Sequence, residues 1–169
     1  MGSNTSGAED TRVVLDAVRH VVQALRTSSR EAERYAGISG AQLFVVQKLS
    51  EWPAMSLNEL ATRTHTHQSS VSTVVSGLVK NGLVRRSRST VDGRSIRLSL
   101  TPRGSRLAGR VPDLAQERLV RAVQQLPPAR RRLLASTLAE LSQLLDGAGK
   151  APAMFFEDGN ARRRRVRHA

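Results

Sequence analysis

The chain has 169 residues, with 27 Lys and Arg against 14 Asp and Glu, four His and no Cys. The length fits one domain, or one domain with tails, and the net charge of +13 points to an acidic partner. The missing cysteines exclude disulfides, thiol catalysis, zinc–cysteine sites and thiol-based peroxide sensing. No run of about 18 apolar residues offers a membrane span. The opening MGSNTSGAED lacks the basic-then-apolar order of a signal peptide. A soluble cytoplasmic protein is therefore expected.

The charge is segregated. Residues 1–62 carry six basic and seven acidic side chains, and residues 63–110 carry ten and one. Residues 111–149 are nearly balanced, and residues 150–169 hold six basic and two acidic. One central segment and a short tail thus hold the excess, as an electrostatic footprint for a polyanion does. With 24 Arg to 3 Lys, codon bias is the bland alternative, but bias does not segregate charge.

In chain order, residues 1–10 read as disordered. Val14, Val18, Val21, Val22 and Leu25 then give helical spacing over 11–36. Ser39 and Gln42 form a capping-box pattern for a second helix, and Ser56 and Glu59 form another for a short third. A turn at His65-Thr66 leads to a fourth helix, about Gln68 to Asn81. Val84–Arg88 and Ser95–Leu100 read as strands joined through Asp92-Gly93, a hairpin signal. Thr101-Pro102 starts a long helix that Pro112 should kink or split and Pro127-Pro128 ends. A last helix shows Leu134, Leu138, Leu141 and Leu145 on one face, which suits a dimer interface. Residues 150–169 read as a basic, flexible tail.

The predicted fold is mainly α with a small β-hairpin wing. It comprises a winged helix-turn-helix domain over about 54–101, with dimerisation helices at 11–36 and 103–146. Ala61 sits where the third helix must approach the fourth closely, and Val71 packs back against it. Such a motif puts the start of its second helix into the major groove of double-stranded DNA. The candidate DNA-binding residues there are His67, Gln68, Ser69, Ser70, Ser72, Thr73 and Ser76. Gln reads adenine bidentately, and Ser and Thr contact bases or phosphates. On the hairpin, Arg85, Arg86, Arg88, Arg94 and Arg97 supply cations, and Arg94 is placed to enter the minor groove. Asp92, the only acid of the segment, is assigned to orient an arginine.

The stretches LNELATR (57–63), SSVSTVVSGLVKNGLVRR (69–86) and DGRSIRLSLTPRG (92–104) resemble the MarR family of bacterial transcription regulators. The likeness extends over roughly residues 11–146. It implies a homodimer with intertwined terminal helices, a pseudo-palindromic operator and Asp92 with Arg94 as the wing pair. It also implies release of DNA on binding a small aromatic effector between the dimerisation helices and the winged domain, hence a ligand-responsive repressor. His20, Tyr35, Phe44 and Trp52 are the candidate pocket residues, with plain core packing as the bland reading of the aromatics. One departure is His65, where helix-turn-helix turns usually carry Gly.

No Ser/His/Asp set or carboxylate pair stands out, so no enzyme is expected. His65 and His67 are two apart, which does not converge on a metal, and no cofactor is expected. Gly147-Ala148-Gly149 reads as a helix terminator. The alternative function is an architectural, sequence-indifferent nucleic-acid-binding protein, favoured by the total charge and the tail. In either case the expected location is the nucleoid.

Overall fold

The computed structural model describes residues 3–88, 95–109, 114–146 and 152–155. In order these form helices α1 (Ser3–Ala36), α2 (Gly40–Glu51), α3 (Leu57–Arg63) and α4 (Gln68–Lys80), strands β1 (Val84–Arg88) and β2 (Ile96–Leu100), then helices α5 (Pro102–Ala108), α6 (Ala115–Gln125) and α7 (Pro128–Asp146). Among the described residues, no helix is long and apolar enough to cross a membrane.

Local chemistry sets the helix starts. Ser39 Oγ accepts from the Gln42 N–H, and Gln42 Oε1 accepts from the Ser39 N–H, each at 3.2 Å. At α3, Glu59 Oε2 accepts from the Ser56 N–H at 2.6 Å, and Ser56 Oγ accepts from the Glu59 N–H at 3.2 Å. Thr101 caps α5, with Pro102 at its first position. The first helix starts earlier than its sequence suggests. It begins at Ser3, inside the segment expected to be disordered. Once the valine-bearing turns are helical, each further residue adds a hydrogen bond at little cost. The Arg12–Glu9 pair at 2.8 Å supports that first stretch.

The segment 103–146, expected to form dimerisation helices, is three helices. α5 ends at Ala108 and α6 begins at Ala115. Pro112 lies between them, and its missing N–H does not continue a helix. A second break at Leu126-Pro127 separates α6 from α7.

α2 lies at the centre of the core. Its Ala41, Leu43, Phe44, Val45, Val46 and Leu49 are all buried. It packs on α1, α4, α5 and β2. Leu60 from α3, Val71, Val75 and Leu78 from α4, and Leu98 from β2 complete this core.

β1 and β2 pair antiparallel, with Val84 opposite Leu100 and Arg88 opposite Ile96. The Leu98 N–H also donates to the Met55 carbonyl at 2.7 Å, which ties the hairpin base to the α2–α3 connection. Gly104 is a steric requirement. A Cβ there would overlap the Leu83 carbonyl oxygen, so only glycine lets α5 dock on the end of β1.

Two apolar faces stay uncovered. Val14, Val18, Val21 and Val22 on α1 are exposed, as are Leu134, Leu138, Leu141 and Leu145 on α7.

Candidate DNA-binding surface

The helix-turn-helix is built from α3, the turn 64–67 and α4. Ala61 is buried where the helices approach, and its carbonyl accepts from the Thr66 N–H at 3.0 Å. Val71 is fully buried on the facing side. His65 occupies the left-handed region at φ 51°, the conformation for which glycine is the usual residue. The left-handed geometry of the turn is therefore kept by a histidine, at a cost of roughly 1–2 kcal/mol. Thr64 is buried, but its hydroxyl donates to the Leu60 carbonyl at 2.9 Å and is satisfied.

α4 divides cleanly. Val71, Val74, Val75 and Leu78 face the core, while Gln68, Ser69, Thr73 and Ser76 are exposed. Ser72 is half-buried between the two faces. Thr73 Oγ1 donates to the Ser69 carbonyl at 3.3 Å, and Ser76 Oγ to the Ser72 carbonyl at 2.8 Å. Each hydroxyl gives its proton back to the helix and presents an acceptor lone pair outward. His67 is exposed at the N-cap and makes no side-chain capping bond. First-turn N–H groups without such a partner suit a phosphate oxygen.

Ser70 is a correction. It is 6% exposed, and its hydroxyl donates to the Pro152 carbonyl at 2.8 Å. At one position before Val71 on a helix, it turns towards the core side. It does not face outward with its neighbours.

On the wing, Arg85, Arg86 and Arg88 are exposed. Arg86 Nη2 donates to Ser76 Oγ at 3.2 Å, joining the wing to α4. Arg85 Nε donates to Ser99 Oγ at 3.0 Å. Arg97 is a second correction. It faces α3, donating from Nη1 to Glu59 Oε2 at 2.7 Å and to the Ala54 carbonyl at 3.3 Å. It braces the wing and is committed to a carboxylate. The Ser56 backbone N–H, the Ser56 hydroxyl, Arg97 and Arg63 together hold the Glu59 carboxyl below the usual glutamate range. Asp92 and Arg94 lie outside the described residues.

The four expected pocket residues do not converge. Phe44 is fully buried core. His20 and Tyr35 are exposed on α1. Phe44 lies on the side of α2 that packs into the core, and among the described residues no element covers the face of α1 that carries His20 and Tyr35. Trp52 does line a cavity of about 570 Å³, with Lys48, Arg63, His65, Glu117 and Gln124. The Arg63 guanidinium lies 3.9 Å from the Trp52 ring centroid.

Sequence reasoning missed the buried cation beside this cavity. Lys48 is buried, with its Nζ 2.9 Å from Glu117 Oε2 and 3.0 Å from Glu51 Oε2. It also sits 5.5 Å from the centroids of Phe44 and Trp52. Glu51 three residues on was a visible helix neighbour, but nothing in sequence links Lys48 to Glu117. The tail was also misjudged in part. Met154 is 4% exposed and joins the main core. Sequence alone gave Met154 no partner, because its sockets lie on the helix-turn-helix and α6. The remainder of 150–169 lies outside the described residues.

A short helix, tight turn, core-backed polar helix and arginine-bearing hairpin define a winged helix-turn-helix protein. Residues 38–96 match the family model of the MarR family. The matched region runs from just before α2 to the start of β2. The HTH-type transcriptional repressor MdtR of Bacillus subtilis is 32% identical over 95 residues, which is 56% of this chain and 59% of that protein. Sco3205, a MarR family transcriptional regulator from Streptomyces coelicolor solved in complex with DNA, shares the fold. Its TM-score is 0.57 at 24% identity, covering 87% of this chain and 94% of that one. BpsR of Bordetella bronchiseptica, whose DNA binding is described as regulated by 6-hydroxynicotinic acid, matches with a TM-score of 0.52 at 23% identity. That match covers 78% of this chain and 91% of that one.

Proposed function

We propose that this chain is a sequence-specific regulator that binds double-stranded DNA as a homodimer on a pseudo-palindromic operator and acts as a ligand-responsive repressor on the nucleoid. One observation carries the reading. The exposed face of Gln68, Ser69, Thr73 and Ser76 runs directly into Arg85, Arg86 and Arg88 through the Arg86–Ser76 bond. No acidic residue occurs between Arg63 and Arg88. On this reading α4 enters the major groove, with His67 and Ser72 at its edge, and the wing follows the backbone. Arg94, oriented by Asp92, reaches the minor groove. The uncovered apolar faces of α1 and α7 support a twofold partner, since together they leave two helical stripes without a core.

The effector site of this reading is the cavity lined by Trp52, Arg63, Lys48 and His65. The Trp52 ring with Arg63 beside it, and the Glu59 and Glu117 carboxylates in the same lining, suit a small aromatic ligand that carries both an acceptor and a donor. The effect of 6-hydroxynicotinic acid on BpsR is in keeping with that chemistry. The repressor function of MdtR is in keeping with the sign of the regulation.

The test is a set of single variants on a selected duplex. Gln68→Ala should relax preference at particular base pairs, costing about 1–3 kcal/mol there. Arg94→Ala should weaken binding by about 1–3 kcal/mol. Equal binding to every duplex by the unaltered chain would instead favour the architectural reading.

A further inference from the structure

The near balance of charge over residues 111–149 conceals a separation. No acidic residue occurs between Glu117 and Glu140, and Arg130, Arg131 and Arg132 fall inside that stretch as the third to fifth residues of α7. Their position works against the helix. The N-terminal end of a helix carries partial positive charge, which favours acidic side chains there and disfavours cations. The first turn of α7 holds no acid. Among the described residues, none of the three arginine side chains makes an ion pair or a hydrogen bond. Arg130 and Arg132 are exposed and Arg131 is half-buried. The stability of α7 therefore gives no reason for three adjacent cations at its start.

The same corner lies against the helix-turn-helix. Gln124 Nε2, in the last turn of α6, is 3.2 Å from His65 Nε2 in the turn between α3 and α4. Only Leu126 and Pro127 separate the end of α6 from the start of α7. Arg131 lines one groove with His67, the exposed N-cap of α4 that makes no side-chain capping bond. The corner thus brings its arginines to the N-terminal end of the helix that carries Gln68, Ser69, Thr73 and Ser76.

We infer that Arg130, Arg131 and Arg132 form a second phosphate-binding site, which holds the DNA backbone next to the groove that α4 enters. The inference rests on the reading of α4 as the groove-facing helix. Arginine suits the role because its guanidinium stays charged and forks onto phosphate oxygens. Each phosphate neutralised steepens the dependence of log affinity on log salt by about 0.9. Three arginines therefore set a ceiling of about 2.7 per protomer.

The experiment compares three forms of the full chain on a random-sequence duplex over a potassium chloride series. They are the unaltered chain, Arg130→Gln/Arg131→Gln/Arg132→Gln, and a control, Arg26→Gln/Arg30→Gln/Arg34→Gln. The control removes the same charge from the exposed face of α1. There Leu25, Ser28 and Ser29 lie by Leu114 and Gln116, at the other end of α6. The corner variant should flatten the salt slope by about 1–3 per protomer and weaken binding at least tenfold at low salt, and the control should change each by less than half as much. Thermal melts supply a readout that a merely structural role would move the other way. The corner variant should melt at or above the unaltered chain, because cations leave the positive end of α7. An unchanged slope in the corner variant, with the unaltered chain still bound, overturns the site and leaves the DNA reading standing. Equal losses in the corner variant and the control overturn it in favour of diffuse charge. A lower melt in the corner variant, or a changed subunit number by sedimentation, overturns it in favour of a structural or subunit contact. An unaltered chain that binds no duplex overturns the reading of α4 itself.

Discussion

Lys48→Met tests whether the buried cation holds the winged half to α6. The Lys48 side chain is 8% exposed, and its two carboxylate partners differ, with Glu117 at 19% and Glu51 at 44%. Methionine keeps most of the stem against Phe44 and Trp52 and deletes only the charge. Glu51 then turns to water at little cost, as an exposed partner does. Glu117 is left as a mostly shielded, uncompensated carboxylate. Removing one partner of a fully buried pair costs about 3–5 kcal/mol. Partial exposure of Glu117 lowers the expectation to about 2–3 kcal/mol. For a chain of this length that lowers Tm by about 5–10 °C. The double variant Lys48→Met/Glu117→Leu buries no charge and should recover most of the loss, giving a coupling of about 1–2 kcal/mol. Urea and thermal melts of the two single variants and the double close the cycle. A Lys48→Met melt within about 0.5 kcal/mol of the parent refutes the reasoning, as does a double variant no better than the single.

Gly104→Ala should cost about 1–3 kcal/mol in a urea melt, because its Cβ meets the Leu83 carbonyl; a neutral alanine would mean that α5 is not docked there. His65→Gly should be neutral or stabilise by up to about 1 kcal/mol, since relief of the left-handed penalty outweighs glycine's extra unfolded entropy. A loss above about 1 kcal/mol would instead show that the His65–Gln124 contact at 3.2 Å matters more than the strain. Glu59→Gln tests the cap and wing brace through pH. The folded carboxyl lies below the ordinary value of 4.5, so its stabilisation is present above that pH and is lost as pH falls through the depressed value. The parent should exceed the Gln variant in stability at neutral pH and converge with it in acid, and a constant gap would contradict this.

What was legible in the sequence was local. Ser39 with Gln42 and Ser56 with Glu59 announce helix starts because the capping box is a contact between residues three apart. Pro112 and Pro127 announce breaks because a missing N–H acts on its own turn. The second wing strand was legible from its strict alternation, and the Asp92-Gly93 connection lies outside the described residues. The misjudged residues differ in cause. Ser70 looked like its neighbours Ser69 and Ser72, yet it stands four residues before Val74 on the core side of α4, where it meets the Pro152 carbonyl, 82 residues away. Arg97 counted as one more wing cation until Glu59, 38 residues away, was seen to hold it. The start of α1 was misjudged for a different reason. Residues 3–10 have no apolar periodicity, and helix propagation needs none.

The central claim, a twofold-symmetric reader of sequence, is tested most directly by selecting duplexes from a random pool with the purified full chain and footprinting the enriched species. A twofold dimer enriches an inverted repeat whose half-site centres lie about 10–10.5 base pairs, or a multiple, apart, protected on one face of the helix. Recovery of a pool no different from the starting duplexes, or of single half-sites without symmetry, would contradict it.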